Sequence, residues 1–199
     1  MVDAAASLRA MPHSRGERAE TGAARVQVTV GGEAELARYA ELAAHGIFAP
    51  AQSPTWINQW IANARPDVIV ATATRGGEPH LSVAMEVVRK GPLRIARFMS
   101  GRHANGNMAP VSAAFAKTAT ADDIRAIIAG IRMARPDVDV VAFERLATDI
   151  AGVRNPLLLL PHQQSANLSL AVSLTGGFDA LLGRASGKRK RKKHRSQTR

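Results

Sequence analysis

An α+β fold built on a central, largely antiparallel sheet follows from three observations. Residues 67–99 hold three consecutive β-rich runs, separated by the turn signals Arg75-Gly76-Gly77-Glu78 and Lys90-Gly91-Pro92. This meander is preceded by two helical patterns and followed by a third. No βαβ unit repeats, which excludes a doubly wound sheet or a barrel.

Each element has its own signal. Val26-Gln27-Val28-Thr29-Val30 alternates and predicts a short strand. A helix is expected from Glu33 to Ala44, with Leu36, Tyr39, Ala40 and Ala43 on one face and Gly46 ending it. Ser53-Pro54 opens a second helix, because serine caps well and proline at the first helical position gives up no useful donor. Trp56, Ile57, Trp60 and Ile61 form its apolar stripe, and Pro66 marks its end.

The run 67–74 is continuously β-rich, the next strand alternates Leu81, Val83, Met85 and Val87, and 93–99 completes the meander. Residues 100–119 read as a long polar loop. Thr120 then caps a helix that has Asp122 and Asp123 in its first turn. Ile124, Ile127, Ile128 and Ile131 recur at helical spacing, and Arg132 and Arg135 suit the negative end of its dipole. A strand is expected at 138–143, irregular chain at 144–165, and a last strand on Leu168, Leu170, Val172 and Leu174 before a terminal helix.

With 46% apolar residues in 199, the chain can bury a real core. Its net charge of +11 is unevenly placed: residues 184–199 hold nine Lys or Arg and no acid, leaving 18 basic and 16 acidic residues elsewhere. The body is nearly neutral and lacks the charged face of a nucleic-acid binder. The absence of cysteine excludes a disulfide framework, a thiolate metal site and a cysteine nucleophile. No apolar run reaches the 18–20 residues of a membrane span, and no signal-peptide core opens the chain, so a cytoplasmic location is expected. Residues 1–24 read as a disordered leader, 25–175 as one domain and 176–199 as a basic helix and tail.

The element order resembles the GNAT acyltransferase fold: one strand, two helices, a three-stranded meander, a helix and another strand. Gln52-Ser53-Pro54-Thr55-Trp56, with Trp60 after it, is similar to the opening helix of CelD-type proteins. These are GNAT-like acyltransferases associated with bacterial cellulose biosynthesis. Gly101-Arg102-His103-Ala104-Asn105-Gly106-Asn107-Met108 and Arg154-Asn155-Pro156-Leu157 are similar to stretches of the same group. The segment from Phe178 through Leu182 into the basic run resembles the helix that enters the group's second acyltransferase domain. The resemblance covers about 26–195. It implies that this chain is the N-terminal half of such a protein, that a second GNAT-like domain is its partner, and that this half is non-catalytic by itself, shaping the acceptor cleft.

The resemblance also implies where a cofactor would sit. A GNAT domain holds the acyl-CoA pyrophosphate on backbone N–H groups of a Gln/Arg-x-x-Gly-x-Gly/Ala turn at a helix start. The equivalent helix here begins near Ala121 without those glycines, and Asp122 and Asp123 would repel a phosphate. Arg184-Ala185-Ser186-Gly187-Lys188-Arg189 has arginine where a small residue is needed, and Gly183 to Lys188 imitates a P-loop but is one residue short. No cofactor is therefore expected in this chain, and acyl-CoA is expected only with the second domain.

Arg102, His103, Asn105 and Asn107 are the candidate substrate-binding residues. They bring a guanidinium, an imidazole and two amides together beside a strand end, and His103 has the chemistry of a general base. A second reading of the same loop is plain turn geometry with a solvated His103. No catalytic residue can be named from sequence, and His45, His80, His103, His162 and His194 lack metal-ligand spacing. Trp56 and Trp60, four apart, suit core packing first and a sugar-stacking platform second. Glu86 interrupts an apolar strand opposite in facing to Met85, which places it toward solvent or a cleft. The basic run at 188–195 is either a solvated helix face awaiting a partner domain or a free tail. As a free tail it would contact nucleic acid or anionic lipid by counterion release.

Overall fold

The computed structural model describes residues 26–166, 173–184 and 196. The expected leader 1–24, most of the last strand and the basic run from 188 lie outside the described residues. Strands β1 (Gln27–Gly31), β2 (Asp67–Arg75), β3 (Glu78–Lys90), β4 (Leu93–Phe98) and β5 (Val140–Ala142) form one sheet in the order β1-β2-β3-β4-β5. The first three pairings are antiparallel, and β4 pairs with β5 in parallel through Ile95↔Val140, Ala96↔Val141 and Arg97↔Ala142. Helices α1 (Leu36–His45) and α2 (Pro54–Ala64) connect β1 to β2. Helices α3 (Ala113–Thr118) and α4 (Ala121–Ala134) connect β4 to β5. A hairpin of β6 (Asp149–Ile150) and β7 (Val153–Arg154) and helix α5 (Gly177–Arg184) follow.

The central strands are apolar on both faces because both faces are covered. Ile69, Ala71 and Ala73 of β2, Leu81, Val83 and Met85 of β3, and Ala96 and Phe98 of β4 pack against Ile124, Ile127 and Ile131 of α4. The alternate residues Val70 and Ala84 pack against Tyr39 of α1 and Ile57 of α2. The sheet is thus the middle of three layers. Gly130 sets the spacing on the α4 side: a Cβ there would come within 2.7 Å of the Val28 Cγ1 of β1.

The expected start signals hold. The Ser53 Oγ accepts from the Trp56 N–H at 3.2 Å, and Thr120 and Asp123 form a reciprocal capping box on α4. Two segments differ from expectation. The expected polar loop 100–119 contains α3, capped by the Ser112 Oγ, and its middle is interior chain: Ala104, Asn107, Met108, Ala109 and Val111 are buried. Short apolar residues interleaved with Asn and Gly carry no helical or strand period, so pattern reading sees only a loop. In the expected irregular stretch 144–165, Ala151 and Gly152, both at positive φ, turn the β6–β7 hairpin, and Asn155 caps a 3-10 turn over Pro156–Leu159.

Where α4 ends, the charges form a lattice. The Arg135 guanidinium donates to both oxygens of Asp67 and both of Asp137, and Arg94 reaches the same two carboxylates at 3.0 and 2.7 Å. The hydrogen bonds from Arg135 hold the Asp137 carboxyl down to about 2, and the Asp67 carboxyl is lowered for the same reason. A lowered folded-state pKa gives stability that is present above the ordinary carboxylate range and is lost as pH falls toward 2. The urea midpoint should therefore drop between about pH 4 and pH 2, and Arg135→Met should flatten that drop. An unchanged acid limb in the variant would refute the assignment.

Candidate functional site

Two places on the fold bear on function: the end of β4 with its neighbours, and an open groove along α2. They meet at Ser100.

Past the carboxyl ends of the parallel pair β4–β5, the chain packs on itself. Asn107 lies beside the continuation of β5: its N–H donates to the Arg145 carbonyl at 2.7 Å, and its carbonyl accepts from the Ala147 N–H at 3.0 Å. Its side chain is equally committed. Oδ1 accepts from the Gln52 Nε2 at 3.0 Å, and Nδ2 donates to the Glu144 carbonyl at 2.9 Å. The Asn155 amide then bridges the Asn107 and Ala147 carbonyls at 2.9 and 3.0 Å. All three amide residues, Gln52, Asn107 and Asn155, are buried, and the Phe98 and Phe143 rings pack together with centroids 5.9 Å apart.

The start of α4 is closed too. The Asp123 carboxylate accepts from the Thr120 N–H at 2.8 Å and from the Arg75 guanidinium at 3.1 Å. Asp122 is exposed and pairs with Arg125 within the helix.

The groove lies along α2. Trp56, Gln59, Trp60, Asn63 and Ala64 of that helix and His103 of the 3-10 turn Gly101–His103 line a volume of about 460 Å³. The core-packing reading holds for Trp60, which is half-buried against the Tyr39, Ile57 and Met99 cluster, and fails for Trp56, which is 39% exposed. The helix turns Ile57 into the core, while Trp56 and Trp60, one turn apart, flank it.

Both indoles are pinned from below. The Trp56 Nε1–H donates to the Ser100 Oγ at 2.7 Å, and the Trp60 Nε1–H donates to the Glu86 Oε2 at 2.9 Å. Of the two placements that alternation allowed Glu86, solvent or a cleft, solvent is wrong: it is buried under Trp60, which lines the groove, on the helix side of the sheet. Its other oxygen accepts from the Arg97 Nε at 3.0 Å and Nη2 at 2.9 Å, across the β3–β4 register. A carboxylate survives inside only because these charge-assisted bonds replace water. Ser100 is fully buried and holds φ at 103°, a left-handed conformation that costs a serine about 1–3 kcal/mol. That strain points its hydroxyl at Trp56.

The loop nominated from sequence divides three ways. His103 is exposed and joins the groove, its ring 6.1 Å from that of Trp60. Asn105 is exposed outside it, and Asn107 is interior. The Arg102 side chain lies outside what the structure describes. Gln59 and Asn63 escaped the sequence reading, although their spacing of four beside the tryptophans was the available signal. Among the described residues, no group of three His, Asp or Glu side chains could hold a metal ion, and no helix is long and apolar enough to cross a membrane.

No protein-family model matches the chain, and no curated protein matches it. Among solved structures it is similar to a ribosomal-protein-alanine N-acetyltransferase from Brucella melitensis biovar Abortus 2308, at 11% identity and a TM-score of 0.44, over 74% of this chain and 98% of that one. It is also similar to an aminoglycoside acetyltransferase from an uncultured soil metagenomic sample, at 15% and 0.42, over 74% and 99%. A third is glucosamine-6-phosphate N-acetyltransferase from Arabidopsis thaliana, at 9% and 0.38, over 74% and 99%. By its own topology, four antiparallel strands, a parallel fifth and helices on both faces, the chain has an α+β fold in the element order expected of a GNAT-like chain.

Proposed function

We propose that this chain is the acceptor-side, non-catalytic half of a CelD-type GNAT-like acyltransferase, and that acyl-CoA is held by a second GNAT-like domain. The supporting observation is the closed packing past β4 and β5. Asn107 and its partners occupy the space beside the chain that continues β5, and in this reading they leave no opening there for an acyl chain. A diphosphate at the α4 start would meet the Asp123 carboxylate, already satisfied by Thr120 and Arg75, and the exposed Asp122 beside it. Acyl transfer needs a donor and an acceptor held together. In this reading the α2 groove serves the acceptor, and the link to cellulose or exopolysaccharide rests on the motif resemblance.

Calorimetric titration of the chain with acetyl-CoA tests it. No saturable heat is expected up to about 1 mM ligand, a standard binding free energy of only about −4 kcal/mol. Saturation in the micromolar range would overturn the proposal.

A further inference from the structure

We infer that the α2 groove binds a neutral carbohydrate, with one pyranose ring lying on the two indoles. The inference deepens the acceptor-side reading and rests on it for its biological meaning, but the site stands on its own geometry.

The indoles have spent their polar atoms. Each N–H is bound to a buried acceptor, Ser100 or Glu86, so each ring offers a ligand only carbon surface. Their orientation is fixed by groups that the packing of α2 does not need: a strained serine and a carboxylate neutralised inside the protein by Arg97. Such supports make sense for a platform that must be rigid before a ligand arrives.

The rim selects the ligand's polarity. Among the described residues, none lining the groove carries a carboxylate, an ammonium or a guanidinium. Among those lining residues a diphosphate would find no counter-charge, and a polyamine no carboxylate. What surrounds the rings is two amides and an imidazole. The Gln59 amide makes no hydrogen bond within the described residues, and the Asn63 Nδ2 bonds the Gln59 carbonyl, leaving its Oδ1 as an acceptor. Neutral donors and acceptors around an apolar floor match a ring whose faces are C–H and whose edge is hydroxyl. The volume of about 460 Å³ suits a unit of one or two sugar rings, and the groove's open side leaves a longer chain room to continue.

The chain has two tryptophans, and both line the groove, so tryptophan emission, excited to the red of tyrosine absorption, reports on this site alone. Titration with cellotetraose and with maltotetraose, without any acyl donor, is expected to give a saturable emission change for at least one of them. Trp56→Ala, read through Trp60 and by calorimetry, should weaken binding roughly tenfold. Gln59→Ala is exposed and safe for the fold, and should weaken it about threefold. No saturable change with either sugar, on protein with native circular dichroism, would overturn the inference. So would binding that both variants leave untouched, or a groove that takes only an apolar probe such as anilinonaphthalene sulfonate, which would assign it to a protein partner. Because no acyl donor is present, failure here leaves the acetyl-CoA titration to decide the acceptor-side reading separately.

Discussion

Asn107→Ala is expected to destabilise the fold by about 3 kcal/mol, the largest effect of any single change outside the apolar core. The truncation removes the amide's two bonds: it strands the Gln52 Nε2 in a fully buried position and takes the donor from the part-buried Glu144 carbonyl. Each orphaned buried group costs about 1–3 kcal/mol, more than the bond itself contributes. The network has no slack to absorb the loss, since the Gln52 Oε1 is already without a partner among the described residues. Urea unfolding measures the change. Asn105→Ala, two residues away and exposed, is the control and should stay within about 0.5 kcal/mol. If the two variants are equally mild, Asn107 does not hold that packing closed, and the case against acyl-CoA in this chain loses its main support.

That contrast also shows what was legible in the sequence. The meander, both long helices and their caps were readable, because each rests on a local rule: a period, a turn dipeptide, a hydroxyl three residues before an N–H. The loop after β4 was readable only in part. Asn105 and Asn107 share a residue type and a neighbourhood. Only the pairing of Asn107 with Arg145 and Ala147, some forty residues away, makes one interior and leaves the other in solvent. Glu86 was placed only in part for a related reason. Alternation correctly put it on the face opposite Met85, but only the docking of α2 decides that this face is covered. The tryptophan pair divided: Trp60 packs against the core cluster as its spacing suggested, while Trp56 is left exposed beside Ile57, which takes the fully buried position.

The charges show a similar division. Arg135, Arg94, Asp67 and Asp137 stay at the surface, where solvent screens them and each contributes little. The Glu86–Arg97 pair is half inside, and its consequence is geometric: it fixes where the Trp60 ring lies.

The second large effect is expected at Glu86. Glu86→Ala should destabilise the protein by about 2 kcal/mol, through loss of the charge-assisted bonds and an unpartnered Trp60 N–H. Removing one partner of a fully buried pair costs about 3–5 kcal/mol, but the Arg97 side chain is 37% exposed and can regain water, which lowers the figure. Glu86→Gln should cost about half as much, because the amide oxygen still accepts from Trp60 while the charge on Arg97 goes unmatched. A merely structural carboxylate and one that orients the indole then separate in a second measurement. In a Trp56→Phe background, where Trp60 is the sole emitter, Glu86→Ala should broaden and red-shift the emission of the native state as the ring is released toward solvent. Glu86→Gln should leave it nearly unchanged. Equal spectra for the two variants would mean that packing against the Tyr39, Ile57 and Met99 cluster fixes the ring, and that the buried carboxylate supports the strand pair rather than the groove.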